Sequence, residues 1–392
     1  MDTVLMSVRK RNWTTPNGER KTAWQVDYRD QNGKRRSKQF RTKKEADEYA
    51  DRARTEVRQG VHTHDRDSIT VKDAAKLRIA AAEAEDLERS TIKRYKELHR
   101  LYIVATFGGT KLSALTKVQI ENYRDELLRT VSRAMTLKII REFSAILNNG
   151  LRIGALVGQN VARGVKIPDD ARGKEEIEPP SRTDLKKMIG AASDDERPLI
   201  LTAILTGLRS SELRGLRWKD VDFDAATISV RQRADQWGVI GPPKSKSGRR
   251  TIPIPGELVR ELKRWKLRSP PSAAGLAFPS STGTPLRHNN LVRRMYNPLQ
   301  LRAGLTELKL GEDGEPIIDG KGNLVLTGRY GFHELRHAAA SAWIASKVDL
   351  KRLQVWIGHK SIALTLNTYG HLLKDAELDA QLATDASRDL FA

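Results

Sequence analysis

The sequence predicts a multidomain α+β chain: a three-stranded sheet with one helix at the N-terminus, an all-helical middle domain, and a mostly helical C-terminal domain with a small antiparallel sheet. Three observations predict it. Apolar residues alternate with polar ones between turn signals in the first 40 residues, helical stripes run from Thr70 to about Ile167, and short β-rich runs appear between 221 and 254. A chain of 392 residues exceeds one typical core, so two or three domains are expected.

In the first segment Trp24, Val26 and Tyr28 alternate with Gln25, Asp27 and Arg29, and Pro16-Asn17-Gly18 and Asn32-Gly33 mark the turns. Thr42 followed by Glu45 forms a capping box for a helix whose Ala46, Tyr49, Ala50, Ala53 and Val57 recur at helical spacing. Residues 1–60 make this first domain. The stretch 61–69 reads as a linker, because His62 and His64 have no third ligand nearby to make a metal site. Residues 70–168 form the helical domain, with Thr70, Ser90 and Thr116 as N-caps. Its stripes are Ile92, Tyr95, Leu98 and Tyr102, then Ile120, Tyr123 and Leu127, then Ile139, Phe143, Ile146 and Leu147. Residues 169–180 are charged, poor in apolar side chains and end in Pro179-Pro180, which predicts an interdomain linker. The last domain, 181–392, opens on a helix capped by Ser181 and continues through a buried helix from Pro198 to Leu208. A short sheet is expected from Val221–Phe223, Thr227–Val230 and Arg249–Ile254. The segment 310–326 contains two hairpin turn signals and predicts a projecting ribbon; Lys374–Ala383 predicts a short amphipathic helix.

Charge points to the partner. The chain carries 70 Lys and Arg against 49 Asp and Glu, a formal net charge of +21, so a polyanion is expected and nucleic acid leads. Residues 1–60 hold 16 Lys and Arg against 9 Asp and Glu, with Arg29, Lys34, Arg35, Arg36 and Lys38 on the second hairpin, a ribbon suited to a major groove. Lys93, Arg94, Lys96, Arg100, Arg133, Lys138 and Arg141 lie between the apolar stripes of the helical domain, where they face DNA or simply solvent. No apolar run is long enough to span a membrane and no secretory segment is evident, so a soluble, cytoplasmic protein is expected. Zero cysteines exclude disulfides, thiolate metal sites and cysteine nucleophiles.

The chemistry sits in the last domain. Arg209 lies in Thr206-Gly207-Leu208-Arg209-Ser210-Ser211-Glu212-Leu213, Lys244 in Pro243-Lys244-Ser245-Lys246, His333, Arg336 and His337 in one run, then His359 after Gly358, and Tyr369 in Asn367-Thr368-Tyr369-Gly370-His371. Arginine binds phosphate oxygens bidentately and stays charged, so Arg209 and Arg336 can clamp a phosphodiester without a metal. A phenol near pKa 10 attacks only if its proton is removed or the phenolate is stabilised, which makes Tyr369 the candidate nucleophile and His333 the expected base. Lys244 can protonate the departing sugar oxygen, His359 can bond a phosphate oxygen, and Glu212 can orient the basic groups.

These motifs, in this order, resemble those of the tyrosine recombinases of the phage and integrative-element integrase family: T-G-L-R-x-x-E-L, P-K-T-K-x-x-R-R-T-I-P, H-x-L-R-H, L-G-H and T-x-x-x-Y-x-H. The likeness spans nearly the whole chain. It implies an active site of Arg209, Lys244, His333, Arg336, His359 and Tyr369, a 3′-phosphotyrosyl intermediate, and neither cofactor nor metal. It also implies an N-terminal arm-type DNA-binding domain, a helical core-binding (SAM-like) domain that forms a C-shaped clamp with the catalytic domain, and a C-terminal segment docking on a neighbouring protomer. The implied partners are double-stranded DNA with core-type and arm-type sites, a homotetramer on that DNA, a DNA-bending host factor and an excision directionality factor, in the nucleoid of a bacterial host cell. Departures are Ile357 for Leu before Gly358, Ser245 for Thr after Lys244, and a longer insertion at 310–326. The competing readings are a type IB topoisomerase-like relaxing enzyme and a non-catalytic DNA-binding regulator.

Overall fold

The computed structural model describes residues 6–60, 62–156, 159–168, 178–311 and 314–370. It comprises two compact units, Met1–Lys174 and Glu175–Ala392. The linker expected at 169–180 falls largely outside the described residues, and the helix expected at Lys374–Ala383 falls wholly outside them.

The first unit begins with three antiparallel strands, Met6–Thr14, Arg20–Arg29 and Arg35–Phe40, in sequential order. Cross-strand register sets Tyr28 against Arg36 and Arg29 against Arg35 around the Asn32-Gly33 turn, whose Gly33 has a φ of 75° that a side chain would resist. The Lys43–Arg58 helix starts at the expected capping box: Thr42 Oγ1 accepts from the Glu45 N–H and Glu45 accepts from the Thr42 N–H. Its buried Ala46, Tyr49, Ala50, Ala53 and Val57 cover Val26 and Tyr28. The small alanines let the helix backbone approach the sheet.

Residues 62–68, within the stretch read as a linker, form a packed strap. His62 is 4% exposed, hydrogen-bonded to Tyr28 Oη and, at 2.7 Å, to Glu56. Asp65 accepts from Ser113 Oγ at 2.9 Å, pairs with Lys38, and offers its carbonyl to Lys111. His62 thus joins the central strand to the helix, and its strand partner lies far away in sequence.

The helical part contains Val71–Ala84, Arg89–Leu98 running on through a wide turn at His99–Ile103 into Val104–Phe107, Lys117–Thr130 and Arg133–Arg152. Thr70 and Thr116 cap as expected. Ser90 does not: Glu88 occupies the N-cap position and the Ser90 hydroxyl bonds the Glu88 carboxylate at 3.3 Å. The second and third predicted stripes meet in one core of Ile120, Tyr123, Leu127, Ile139, Phe143, Ile146 and Leu147; of the first, Leu98 joins that core and Tyr102 packs against it, while Ile92 and Tyr95 stay half-buried outside it.

The second unit packs the apolar Arg197–Thr206 helix at the centre of a core with Leu213, Ile228, Ile252, Leu258, Leu262, Tyr296 and Leu335. The small sheet is Val221–Asp222, Thr227–Val230 and Arg250–Pro253 in that spatial order. The 310–326 segment forms a ribbon, with Thr306–Leu308 paired to Leu326–Gly328 and bridges Leu310 to Pro316 and Ile318 to Leu324. Three helices close the described chain: Glu334–Ala345, Leu350–Ile357 and Ile362–Tyr369. Among the described residues no helix is long and apolar enough to cross a membrane.

Candidate active site

Three arginines from three distant segments converge on the end of one helix. The Leu350–Ile357 helix stops at Gly358, which adopts φ 69° and ψ 45°, the left-handed conformation that suits glycine. Its last carbonyls would lack partners within the helix. Arg250 Nε donates to the Trp356 carbonyl at 2.7 Å, Arg336 donates to the Ile357 carbonyl, and an Arg209 terminal nitrogen donates to the Gly358 carbonyl at 3.0 Å. Three consecutive carbonyls at the negative end of the helix dipole thus hold three guanidiniums side by side. A Cβ on Gly358 would come within 3.0 Å of the Arg250 guanidinium, so the close approach also needs glycine here.

Glu212 completes the frame. Its carboxylate accepts two bonds from Arg250, at 3.1 and 2.8 Å, one from the Arg209 guanidinium at 2.8 Å and one from the Arg209 backbone N–H at 2.9 Å. Its side chain is 3% exposed. Burial alone would raise the carboxyl pKa, but the Arg250 bonds and the charges of Arg250, Arg209 and Arg336 pull it down to about 2. Arg250 also donates to the Gly248 carbonyl at 3.0 Å, which ties the loop carrying Lys244 to this frame. Lys244 itself is exposed on that loop, between the Ile240–Gly241 and Arg250–Pro253 strands.

Arg336 is buried, with one terminal nitrogen donating to the Gly207 carbonyl at 2.7 Å. Gly207 ends the Arg197–Thr206 helix at φ 57°. A Cβ there would meet Ala339 at 3.2 Å, so the two helices lie close enough for the backbone of one to orient the arginine of the other. Burial, then the neighbouring Arg209, lowers the Arg336 pKa to about 9, still charged at neutral pH. Such crowding of cations asks for an anion.

Tyr369 ends the Ile362–Tyr369 helix and lies 3% exposed against Ala340, Leu353 and Ile357. Burial raises its pKa to about 12, although Arg336 and Arg209 act in the opposite direction. His333 occupies the N-cap position of the Glu334–Ala345 helix and His359 follows Gly358; burial, then Arg336, pushes both imidazoles down to about 4. His359 Nδ1 is 3.0 Å from the Thr365 hydroxyl. The structure therefore draws Arg209, Glu212, Arg336, His359 and Tyr369 around one helix end. Two things differ from the sequence reading. The imidazole in hydrogen-bond contact with the phenol is His337, at 2.9 Å from Nδ1, where His333 was the expected base. Arg250, read only as a strand residue, is the partner of Glu212. A partial signal was available: residues two apart along a strand share a face, so Arg250 points inward with the apolar Ile252 and needs buried hydrogen-bond acceptors there.

The basic residues expected to face DNA divide into two groups. Arg29, Lys34 and Arg35 are exposed, as are Lys93, Arg94, Lys96, Arg100, Lys138 and Arg141. Arg36 is instead 11% exposed and pairs with Asp30 at 2.7 Å and with Asp67, while Lys38 pairs with Asp65 and lies 4.5 Å from the Tyr49 ring centroid. These two side chains point to the face covered by the strap, because residues at even spacing along a strand share one face. Arg133 is half-buried and donates to the Ile167 carbonyl at 3.3 Å.

Known proteins are similar to this chain over most of its length. The phage integrase family matches residues 182–376, and its N-terminal SAM-like domain matches residues 79–128. A tyrosine recombinase XerC-like protein of Caldanaerobacter subterraneus subsp. tengcongensis is 26% identical over 395 residues, covering 93% of this chain and 94% of its own. The fold is similar to that of the Tn1549 transposon integrase solved with transposon right end DNA, with a TM-score of 0.63, 20% identity, and coverage of 83% of this chain and 100% of the other. It is also similar to a lambda integrase tetramer solved on a Holliday junction, with a TM-score of 0.55, 18% identity, and coverage of 89% and 95%. With two family matches that together take in more than half of its length, and the motif residues gathered at one helix end, the chain belongs to the phage integrase family, the tyrosine-type site-specific recombinases.

Proposed function

We propose that this recombinase integrates or excises a mobile element by cleaving one DNA strand at a time through a 3′-phosphotyrosyl bond to Tyr369. The observation that carries the reading is the buried phenol beside guanidiniums that are fixed on consecutive backbone carbonyls. Arg209 and Arg336 hold the two non-bridging oxygens of the scissile phosphate and stabilise the charge of the pentacovalent transition state. Glu212 and Arg250 keep those arginines in place. Lys244, on the loop anchored by Arg250, delivers a proton to the departing 5′ oxygen, and His333 and His359 bond phosphate oxygens. The phosphotyrosyl diester conserves the energy of the broken bond, so rejoining needs no nucleotide cofactor.

The finer assignments belong to the same proposal. Residues 1–60 read arm-type sites, 70–168 bind core-type sites, and 181–392 carry catalysis as a homotetramer on double-stranded DNA. A DNA-bending host factor and an excision directionality factor set the direction, in the nucleoid of a bacterial cell. The lambda integrase tetramer on a junction supports the assembly by likeness of fold, and the net charge of +21 supports the polyanion. A suicide substrate nicked beside the cleavage site traps the intermediate. Digestion of the trapped adduct with trypsin should leave the DNA on the peptide that contains Tyr369; attachment elsewhere, or relaxation of any supercoiled plasmid without paired sites, defeats the proposal.

The two classes of basic residue predict different variant behaviour. Arg35→Ala is expected to weaken arm-site binding and to lower the slope of log affinity against log salt by about 1. Arg36→Ala is expected to cost about 2 kcal/mol of N-terminal stability, because it strips Asp30 and Asp67 of a charged hydrogen-bond donor. Salt-dependent binding and a thermal melt of each variant separate the two.

A further inference from the structure

We propose that His337 is the residue that takes the phenolic proton from Tyr369 during strand cleavage and returns it during rejoining. This rests on the nucleophile role proposed for Tyr369. The phenol oxygen lies 2.9 Å from His337 Nδ1, and the ring centroids are 5.5 Å apart. Both groups are held rigidly. His337 sits in the first turns of the Glu334–Ala345 helix, followed by buried Ala338, Ala339 and Ala340, and Tyr369 packs on that same Ala340. Tyr369 as a residue is 3% exposed, so a base already in contact with its hydroxyl is the direct route for the proton.

The other imidazoles are less well placed. His333 meets His337 edge-on at 5.1 Å between centroids, one ring further from the phenol. The His359 ring lies nearly parallel to the Tyr369 ring at 6.2 Å, and its Nδ1 is engaged by the Thr365 hydroxyl. A proton acceptor must also start neutral. Burial, then the Arg336 charge, holds His337 below the ordinary histidine range, so it is neutral at neutral pH. The groups that face it are Arg336 and His333 on its own helix and Tyr369 and His359 across from it.

The step balances without an outside reactant. The Tyr369 O–H bond breaks as the Oη–P bond forms, the proton moves to His337 Nδ1, the P–O5′ bond breaks, and the 5′ oxygen takes a proton from the Lys244 ammonium. Imidazole becomes imidazolium, ammonium becomes amine, and one phosphodiester becomes another. Rejoining runs each transfer backwards.

The test compares His337→Asn, His333→Asn and wild type in single-turnover cleavage of a nicked suicide substrate from pH 6 to pH 9. Asparagine sets an amide close to the Nδ1 position, keeping a hydrogen-bond partner for the phenol while being unable to hold a proton. His337→Asn is expected to cleave about 10²- to 10⁴-fold more slowly near pH 7.5, with a rate that climbs with pH where the wild type is flat. His333→Asn is expected to keep the flat profile. A second assay joins a 5′ hydroxyl to a DNA end carrying a 3′-(p-nitrophenyl) phosphate, a reaction that does not use the Tyr369 proton; His337→Asn is expected to join it, which reports an assembled site. Cleavage by His337→Asn within about threefold of wild type and with the same pH profile overturns the inference. So does failure in both assays, which assigns His337 to packing. Absence of any adduct with wild type strikes the nucleophile reading instead.

Discussion

Tyr369→Phe will form no covalent adduct on a suicide substrate while binding its core site as tightly as wild type. In the proposed reaction this substitution removes the only atom that bonds phosphorus, so the expected fall in cleavage is at least ~10⁴-fold, a limit set by detection. The fold is expected to survive. The phenyl ring keeps its contacts with Ala340, Leu353 and Ile357, and the one polar loss is the bond to His337, a cost of about 1–3 kcal/mol at most. Gel shift on an intact core site and denaturing electrophoresis of the adduct are the measurements. A shifted complex without an adduct is the expected pair of results; an adduct that persists removes Tyr369 from its role.

What could be read along the chain was local. The capping boxes at Thr42 and Thr116 depend on residues three apart, and the stripes through Ile120 and Ile139 depend on helical period, so both appear in the structure as the sequence predicts. The motif arginines Arg209 and Arg336 stood out in the sequence as candidates for holding a phosphate because guanidinium chemistry is independent of context. Their anchorage was not. Carbonyls of Trp356, Ile357 and Gly358 carry no side-chain signal, and only tertiary packing shows that a helix end is what orients the cations.

The same limit explains the misplacements. His62 and His64 look solvated beside charged neighbours until Tyr28 and Glu56, from a strand and a helix, enclose the first of them. Arg36 and Arg35 are adjacent and alike in sequence, yet strand alternation sends one to Asp30 and the other to solvent. His333 and His337 lie one helical turn apart, and choosing between them requires knowing where a helix 32 residues further on delivers its tyrosine. Ser90 failed as a cap because the helix begins at Arg89, two residues earlier than its hydroxyl requires.

Glu212→Gln is expected to destabilise the catalytic unit by about 3 kcal/mol and to disable cleavage without touching any atom that reacts. The carboxylate neutralises Arg250, whose side chain is 1% exposed, and removing one partner of a buried pair typically costs about 3–5 kcal/mol because the other charge stays behind. Linkage gives a similar figure. A carboxyl lowered from the ordinary 4.5 to about 2 contributes about 3 kcal/mol, present in full above pH 4.5 and lost as pH falls toward 2. The stability gap between wild type and Glu212→Gln should therefore be constant from pH 6 to pH 8 and should narrow below pH 4.5. In a unit of this size the melting transition would drop by roughly 6–12 °C. Catalysis falls for a separate reason: the Arg209 guanidinium and its backbone N–H both donate to this carboxylate, so a neutral amide, with one acceptor oxygen instead of two, cannot satisfy Arg209 and Arg250 together. Melts across that pH range, run beside cleavage at a temperature where the variant is fully folded, separate loss of fold from loss of arginine alignment. A gap that widened toward acid would show that Glu212 is not the charge holding the frame together.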